Sequence, residues 1–144
     1  MARIRAVDRR LFLLIEIAAR RLNREADKRL KDEAGVSSAQ AGVLFLLLRR
    51  GQRRMGGLSK TLSLNPPAVT GLVDRMVKAG LVSRTTDKTD GRGAMVALTR
   101  KGTEAAERAD IVLRELNADL EARLGEEVSD ILHDALTRIV IAES

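Results

Sequence analysis

The segment from Leu58 to Gly102 leaves few folds open. Leu58-Ser59-Lys60-Thr61-Leu62 reads as a short helix and Ser63-Leu64 as a turn. Asn65 then stands at an N-cap with Pro66 at the first helical position, where a missing N–H costs nothing. Apolar Val69, Leu72, Val73 and Met76 recur at helical spacing up to about Lys78, and Gly80 closes the helix. Leu81–Thr85 and Ala94–Leu98 read as two strands joined through Asp90-Gly91, because glycine accepts a positive φ in a tight hairpin turn. Thr99 caps the helix that follows. This order of parts is that of a winged helix-turn-helix, with one helix shaped for the major groove of duplex DNA and a charged finger beside it.

The flanks are helical. No Pro or Gly interrupts Ile4 to Ala34, and Gly35 is a natural stop. Ile4, Val7, Leu11, Leu14, Ile15, Ala18, Leu22, Ala26 and Leu30 form one stripe on a helix roughly 45 Å long. That length exceeds the needs of a small domain; it suits a solvated arm or half of a subunit interface, and the stripe favours the interface. Ser37 and Gln40 fit a capping box ahead of Val43–Leu48, a run apolar all round and therefore expected at the buried centre. Gly51–Gly57 reads as a connector, with a weak phosphate contact by Arg53 or Arg54; it lacks the Lys-Ser/Thr ending of a nucleotide-binding loop.

A long helix is expected from Arg100 to Leu124, striped by Ala109, Val112, Leu113, Leu116 and Leu120. Gly125 breaks it, and Val128, Ile131, Leu132, Ala135, Ile139 and Val140 line one side of a last helix. The expected fold is mainly α with a small β-hairpin. Residues 1–36 form an N-terminal dimerisation helix, 37–99 the winged helix-turn-helix, and 100–144 the C-terminal dimerisation helices. The terminal stripes exceed what one small core can cover, so a homodimer is expected.

Composition narrows the partners. Among the 144 residues, 26 Lys and Arg against 20 Asp and Glu give a net charge of +6, which suits a polyanion. There is no Cys and one His, His133, which falls on the polar side of the last helix. Thiol switches and thiolate metal sites are therefore excluded, no metal or cofactor is expected, and no acid–base constellation suggests an enzyme. Phe12 and Phe45 are the only aromatic residues, too few for base-stacking grips on single strands. The arginines before Leu11–Ile15 resemble a secretory leader, but Glu16 and Arg20-Arg21 argue against one, and no run is long enough to span a bilayer. A soluble, cytoplasmic protein is expected, with no membrane partner.

The reading helix would present Asn65, Pro67, Thr70, Gly71, Arg75 and Lys78 to double-stranded DNA. Thr70 can offer a hydroxyl to a base or a methyl to thymine, while Pro67 and Gly71 offer only shape and close approach. Arg75 and Lys78, further along, are expected to hold phosphates. Taken alone, such a helix reads equally well as a core helix with a solvated charged face. The hairpin tilts the balance: Lys88 and Arg92 flank its turn, a thin cationic finger suited to the narrow minor groove. Asp90 is assigned a structural part, accepting hydrogen bonds in the turn and orienting Arg92 or a neighbour such as Arg84.

Asp90-Gly91-Arg92 followed by Leu98-Thr99 and Gly102 matches every fixed position of the DxRxxxxxLTxxG signature of the MarR (multiple antibiotic resistance regulator) family. Leu58 to Arg84 also resembles that family's helix-turn-helix and first wing strand, and the flanking helices agree in length and order. The resemblance implies a homodimeric transcriptional regulator, a repressor by expectation. Its terminal helices make the dimer, and its two winged lobes bind successive half-sites of a pseudo-palindrome. It implies Asn65 to Lys78 as recognition helix and Arg92 as the minor-groove arginine. It also implies a small anionic or aromatic effector that weakens DNA binding, although two Phe leave few rings to line a crevice. The chain departs from the family at Gly71, where an arginine or other long polar residue is common. A sequence-tolerant or architectural DNA-binding protein is the alternative, and a protein–protein adaptor a lesser one.

Overall fold

The computed structural model describes residues 10–86 and 93–142. In chain order the elements are α1 (Leu11–Ala34), α2 (Ser38–Arg50), β1 (Arg53–Arg54), α3 (Met55–Leu62), α4 (Pro66–Lys78), β2 (Val82–Thr86), β3 (Ala94–Leu98), α5 (Arg100–Leu124) and α6 (Glu126–Ile141). The chain divides into two compact units, one ending at Val112 and the other running Leu113–Ser144.

Local chemistry sets the ends of these elements. Gly35 closes α1 in the left-handed region at φ 69°, where a Cβ would be strained. The expected capping box opens α2: the Gln40 N–H donates to Ser37 Oγ at 3.2 Å, and the Ser37 N–H donates to Gln40 Oε1 at 3.1 Å. The Ser38 N–H, another end group with no helical partner, donates to Asp27 Oδ1 of α1 at 2.6 Å. That bond ties α2 to α1 and holds the Asp27 carboxyl below its usual range.

The core of the first unit draws on every helix in it. Leu30 of α1, Val43 and Leu44 of α2, Leu58 of α3, Val73 and Met76 of α4, Val96 of β3 and Val112 of α5 are among its most deeply buried side chains. The stripe Val69, Leu72, Val73 and Met76 is buried as its spacing requires. The run in α2 is not buried all round, however. Phe45 is 40% exposed, and the Arg49 guanidinium carbon lies 5.5 Å from its ring centre, a cation–π pair at the surface.

The connector expected over Gly51–Gly57 is also structured differently. Arg53 and Arg54 form β1, which pairs antiparallel with Val96 and Met95, so the sheet has three strands in the order β1-β3-β2. α3 starts at Met55 and includes Gly56 and Gly57, two poor helix formers recruited because the element packs on α4 and the sheet. β2 and β3 pair from Val82 with Leu98 to Thr86 with Ala94, one residue later at the start of β2 than the sequence suggests.

The second unit is a helical hairpin of the end of α5 and α6. Among the described residues, α6 buries none of its side chains. Val128, Ile131, Leu132, Leu136, Ile139, Val140 and Ile141 remain 38–67% exposed. His133 is solvated, with its side chain 80% exposed. The first half of α1 is equally open, with Leu11, Phe12, Leu14, Ile15 and Ile17 exposed.

Candidate nucleic-acid interface

α3, the turn and α4 are locked by backbone-directed bonds. The turn needs a left-handed residue, and Ser63 supplies it at φ 51°. The Leu64 N–H donates to Ser59 O at 3.0 Å, and the Ser59 hydroxyl donates to Leu64 O at 2.5 Å, so the turn cannot swing freely. Asn65 occupies the N-cap of α4 as its position suggests, yet its side chain makes no capping bond. Pro66 and Pro67 fill the first two helical positions and lack N–H groups, so this terminus has fewer donors for a phosphate than most. Its tip is two pyrrolidine rings and a free Asn65 amide.

The outward face of α4 carries Pro66, Pro67, Ala68, Thr70, Arg75 and Lys78, all exposed, with Gly71 half-buried between them. The Thr70 hydroxyl donates to Pro66 O at 3.0 Å, which spends its proton on its own helix. In this rotamer it can only accept a bond from a base amino group, and its methyl remains available. The opposite face, as described, is core.

The far end of α4 is clamped by the start of α5. The Lys101 ammonium donates to Ala79 O at 2.9 Å, placing a cation at the negative end of α4. The Thr99 hydroxyl donates to Gly80 O at 2.6 Å, with Leu81 O 3.1 Å away, and accepts from the Gly102 N–H at 3.0 Å. The Thr99 N–H donates to Leu81 O at 3.1 Å. Gly102 sits so close to Leu81 that a Cβ would lie 2.8 Å from the Leu81 carbonyl carbon. These bonds give a physical reason for the Leu98-Thr99-x-x-Gly102 pattern: it docks α5 on the turn between α4 and β2.

Arg84 of β2 projects toward α4. Its Nη2 lies 2.6 Å from Asp74 Oδ1, an ion pair between α4 and the sheet. That oxygen is buried and has no aligned hydrogen bond, so charge rather than bond geometry holds it. The sequence places Asp74 only on the polar face and offers Arg92, or a neighbour such as Arg84, to Asp90; the Arg84–Asp74 pairing depends on how the helix crosses the strand, which spacing does not encode. Lys88, Asp90 and Arg92 lie outside the described residues. The structure therefore brings Asn65, Pro67, Thr70, Gly71, Arg75 and Lys78 onto one helix and joins Arg84 to it through Asp74. Among the described residues no group of His, Cys, Asp or Glu could hold a metal ion.

Comparison with known proteins agrees with this geometry. The sequence profile described as the MarR family matches residues 34–93. The chain is 28% identical over 112 residues to the HTH-type transcriptional regulator FarR of Neisseria gonorrhoeae, covering 78% of this chain and 77% of that one. It is 31% identical over 71 residues to the HTH-type transcriptional repressor MdtR of Bacillus subtilis (strain 168), covering 49% and 46%. A crystal structure of a mutant MarR from E. coli complexed with operator DNA superposes with a TM-score of 0.78 at 25% identity, covering 90% of this chain and 92% of that one. These relatives are regulators, not enzymes. The motif at the α4–α5 clamp, the helix-turn-helix and the three-stranded sheet thus agree with these likenesses: the chain is similar to winged-helix transcriptional regulators of the MarR type.

Proposed function

We propose that the protein acts in the cytoplasm as a homodimeric repressor that binds a pseudo-palindromic operator and is relieved by a small anionic or aromatic effector. α4 enters the major groove, presenting Asn65, Pro67, Thr70, Gly71, Arg75 and Lys78. The wing, with Lys88 and Arg92, enters the adjacent minor groove, and Arg84 braces it through Asp74. The observation that carries the reading is the outward face of α4, fixed at both ends by bonds that leave its side chains clear. No described helix is long and apolar enough to cross a membrane.

A second copy of the chain is the occupant proposed for the uncovered apolar faces. All the buried apolar residues lie in the first unit, so the second has no core of its own among the described residues. Seven apolar side chains of α6 stand 38–67% exposed, a patch that a partner copy would cover.

Anisotropy titration of a labelled duplex over a salt series tests the DNA reading. If each subunit neutralises about four phosphates, the slope of log affinity on log salt is about −7 for the dimer. A slope near zero would refute it. Arg92→Ala should weaken binding most at A·T-rich minor-groove sites, and unchanged affinity there would remove the wing's role. The spent Thr70 proton and the two prolines favour one second reading, a sequence-tolerant architectural binder. A preference of about 10³-fold or more for a selected site over random duplex supports the regulator, and its absence the architectural protein.

A further inference from the structure

We infer that Arg75 reads bases rather than phosphates, and that it does so through the space Gly71 leaves empty. The inference rests on α4 being the major-groove helix. Arg75 lies four residues after Gly71, one turn toward the C-terminus, on the same face. Side chains on a helix lean toward its N-terminus and cover the preceding turn. Arg75 does so here: its Nη1 lies 3.4 Å from the point a Cβ on residue 71 would occupy. The guanidinium is thus carried back across Gly71, into the N-terminal half of α4 where groove-reading residues stand.

No other side chain within that half of the helix offers a free donor. Pro66, Pro67 and Ala68 carry no side-chain donor or acceptor. Asn65 precedes the helix, and Thr70 has spent its proton on Pro66 O. Asp74 is paired with Arg84. Arg75 is exposed and makes no ion pair among the described residues, so its donors stay available. A planar guanidinium can give two parallel N–H bonds to O6 and N7 of guanine. The loss of a long side chain at residue 71 and the reach of residue 75 are then one arrangement: a longer residue at 71 would occupy the ground over which the guanidinium lies. Lys78 is one turn too far along for the same approach and is left to the phosphates.

The test is selection of bound duplexes from a random library by the wild-type protein and by Arg75→Lys and Arg75→Ala, followed by titration on the winning site and on random DNA. Arg75 is exposed, so both variants should fold, and circular dichroism checks this. Base reading predicts that both variants relax the same one or two positions in each half-site. Arg75→Lys should lose roughly 10-fold or more of site preference per half-site, since a point charge cannot make the paired bonds. It should also keep its affinity for random duplex within about threefold, because its charge is intact. The inference is overturned if Arg75→Lys behaves as wild type while Arg75→Ala binds all sequences more weakly by one common factor with an unchanged motif. A wild-type protein that binds no duplex would instead remove the reading of α4 itself.

Discussion

The docking of α5 on the α4–β2 turn makes a sharp stability prediction about Gly102. Its Cβ position lies 2.8 Å from the Leu81 carbonyl carbon and 3.3 Å from Leu81 Cα, and closer still to the carbonyl oxygen. The obstacle is backbone, which cannot rotate aside. Gly102→Ala must therefore push α5 off the turn. The shift strains bonds that depend on the same spacing, the Thr99 cap to the Gly102 N–H and the Thr99 N–H bond to Leu81 O. Overpacking of this kind costs about 1–3 kcal/mol, and a lost N-cap adds about 1 kcal/mol. Removing a glycine from a helix returns about 1 kcal/mol at most. The net loss is about 1–3 kcal/mol.

Gly56→Ala is the matched control. Gly56 lies in the first turn of α3, and a Cβ there meets nothing within 4 Å. The same added methyl should stabilise by about 0.5 kcal/mol through the unfolded chain alone. Urea titrations of both variants and the wild type, at one fixed protein concentration because a dimer's stability depends on it, read the two signs directly. A Gly102→Ala variant that loses less than about 1 kcal/mol, or moves the same way as Gly56→Ala, would refute the docking argument.

Three further outcomes follow from the same structure. Asp27 has its pKa lowered below 3.8, chiefly by the Ser38 N–H bond, so its contribution is present above the unfolded value and lost as pH falls through the folded one. Asp27→Asn should therefore lose about 1 kcal/mol at pH 7 and show a shallower fall in stability below about pH 4, measured by urea midpoints from pH 7 to 3. The Arg84–Asp74 pair has side chains 36% and 45% exposed, so solvent screens it, and a double-mutant cycle with Ala should give a coupling below about 1 kcal/mol that shrinks in high salt. Ile131 is 63% exposed in the single chain, where a charge would be tolerated; if a second copy covers it, Ile131→Glu should weaken dimerisation on the order of 30-fold or more by sedimentation equilibrium, with helix content retained.

Much of this fold could be read from the sequence wherever the governing contacts are local. The Ser37–Gln40 box lies within one turn, and Val69, Leu72, Val73 and Met76 mark a face by spacing alone. Gly35 and Gly80 end their helices through their own positive φ. What escaped depends on residues distant in the chain. β1 is two residues long and exists because Arg53 and Arg54 meet Val96 and Met95, and no alternation can appear in two residues. Met55–Gly57 are helical despite two glycines because tertiary packing outweighs propensity. Phe45 sits in an apolar run but faces outward, where Arg49 covers its ring; an all-apolar run gives no signal of which side is open. At the candidate site, the exposed face of α4 was legible, while the Asp74–Arg84 bridge was not, since the crossing of helix and strand sets which charges meet.

The division of labour on α4 explains how such a helix can carry specificity without endangering the fold. Its N-terminal end is held by the Ser59 and Leu64 bonds, its C-terminal end by Thr99, Lys101 and Gly102, and its inner face by four buried apolar residues. Pro67, Gly71, Arg75 and Lys78 take part in none of these, and Thr70 bonds only its own helix. The groups that fix the helix in space are therefore separate from the groups a DNA base would meet. Under the proposed function, substitution at the second set would alter what is recognised at a cost of a few tenths of a kcal/mol in stability, the range of ordinary surface changes. Substitution at the first set, the docking glycine at residue 102 included, moves the whole outward face of α4, so under the proposed function it would bear on recognition through the fold rather than through a contact.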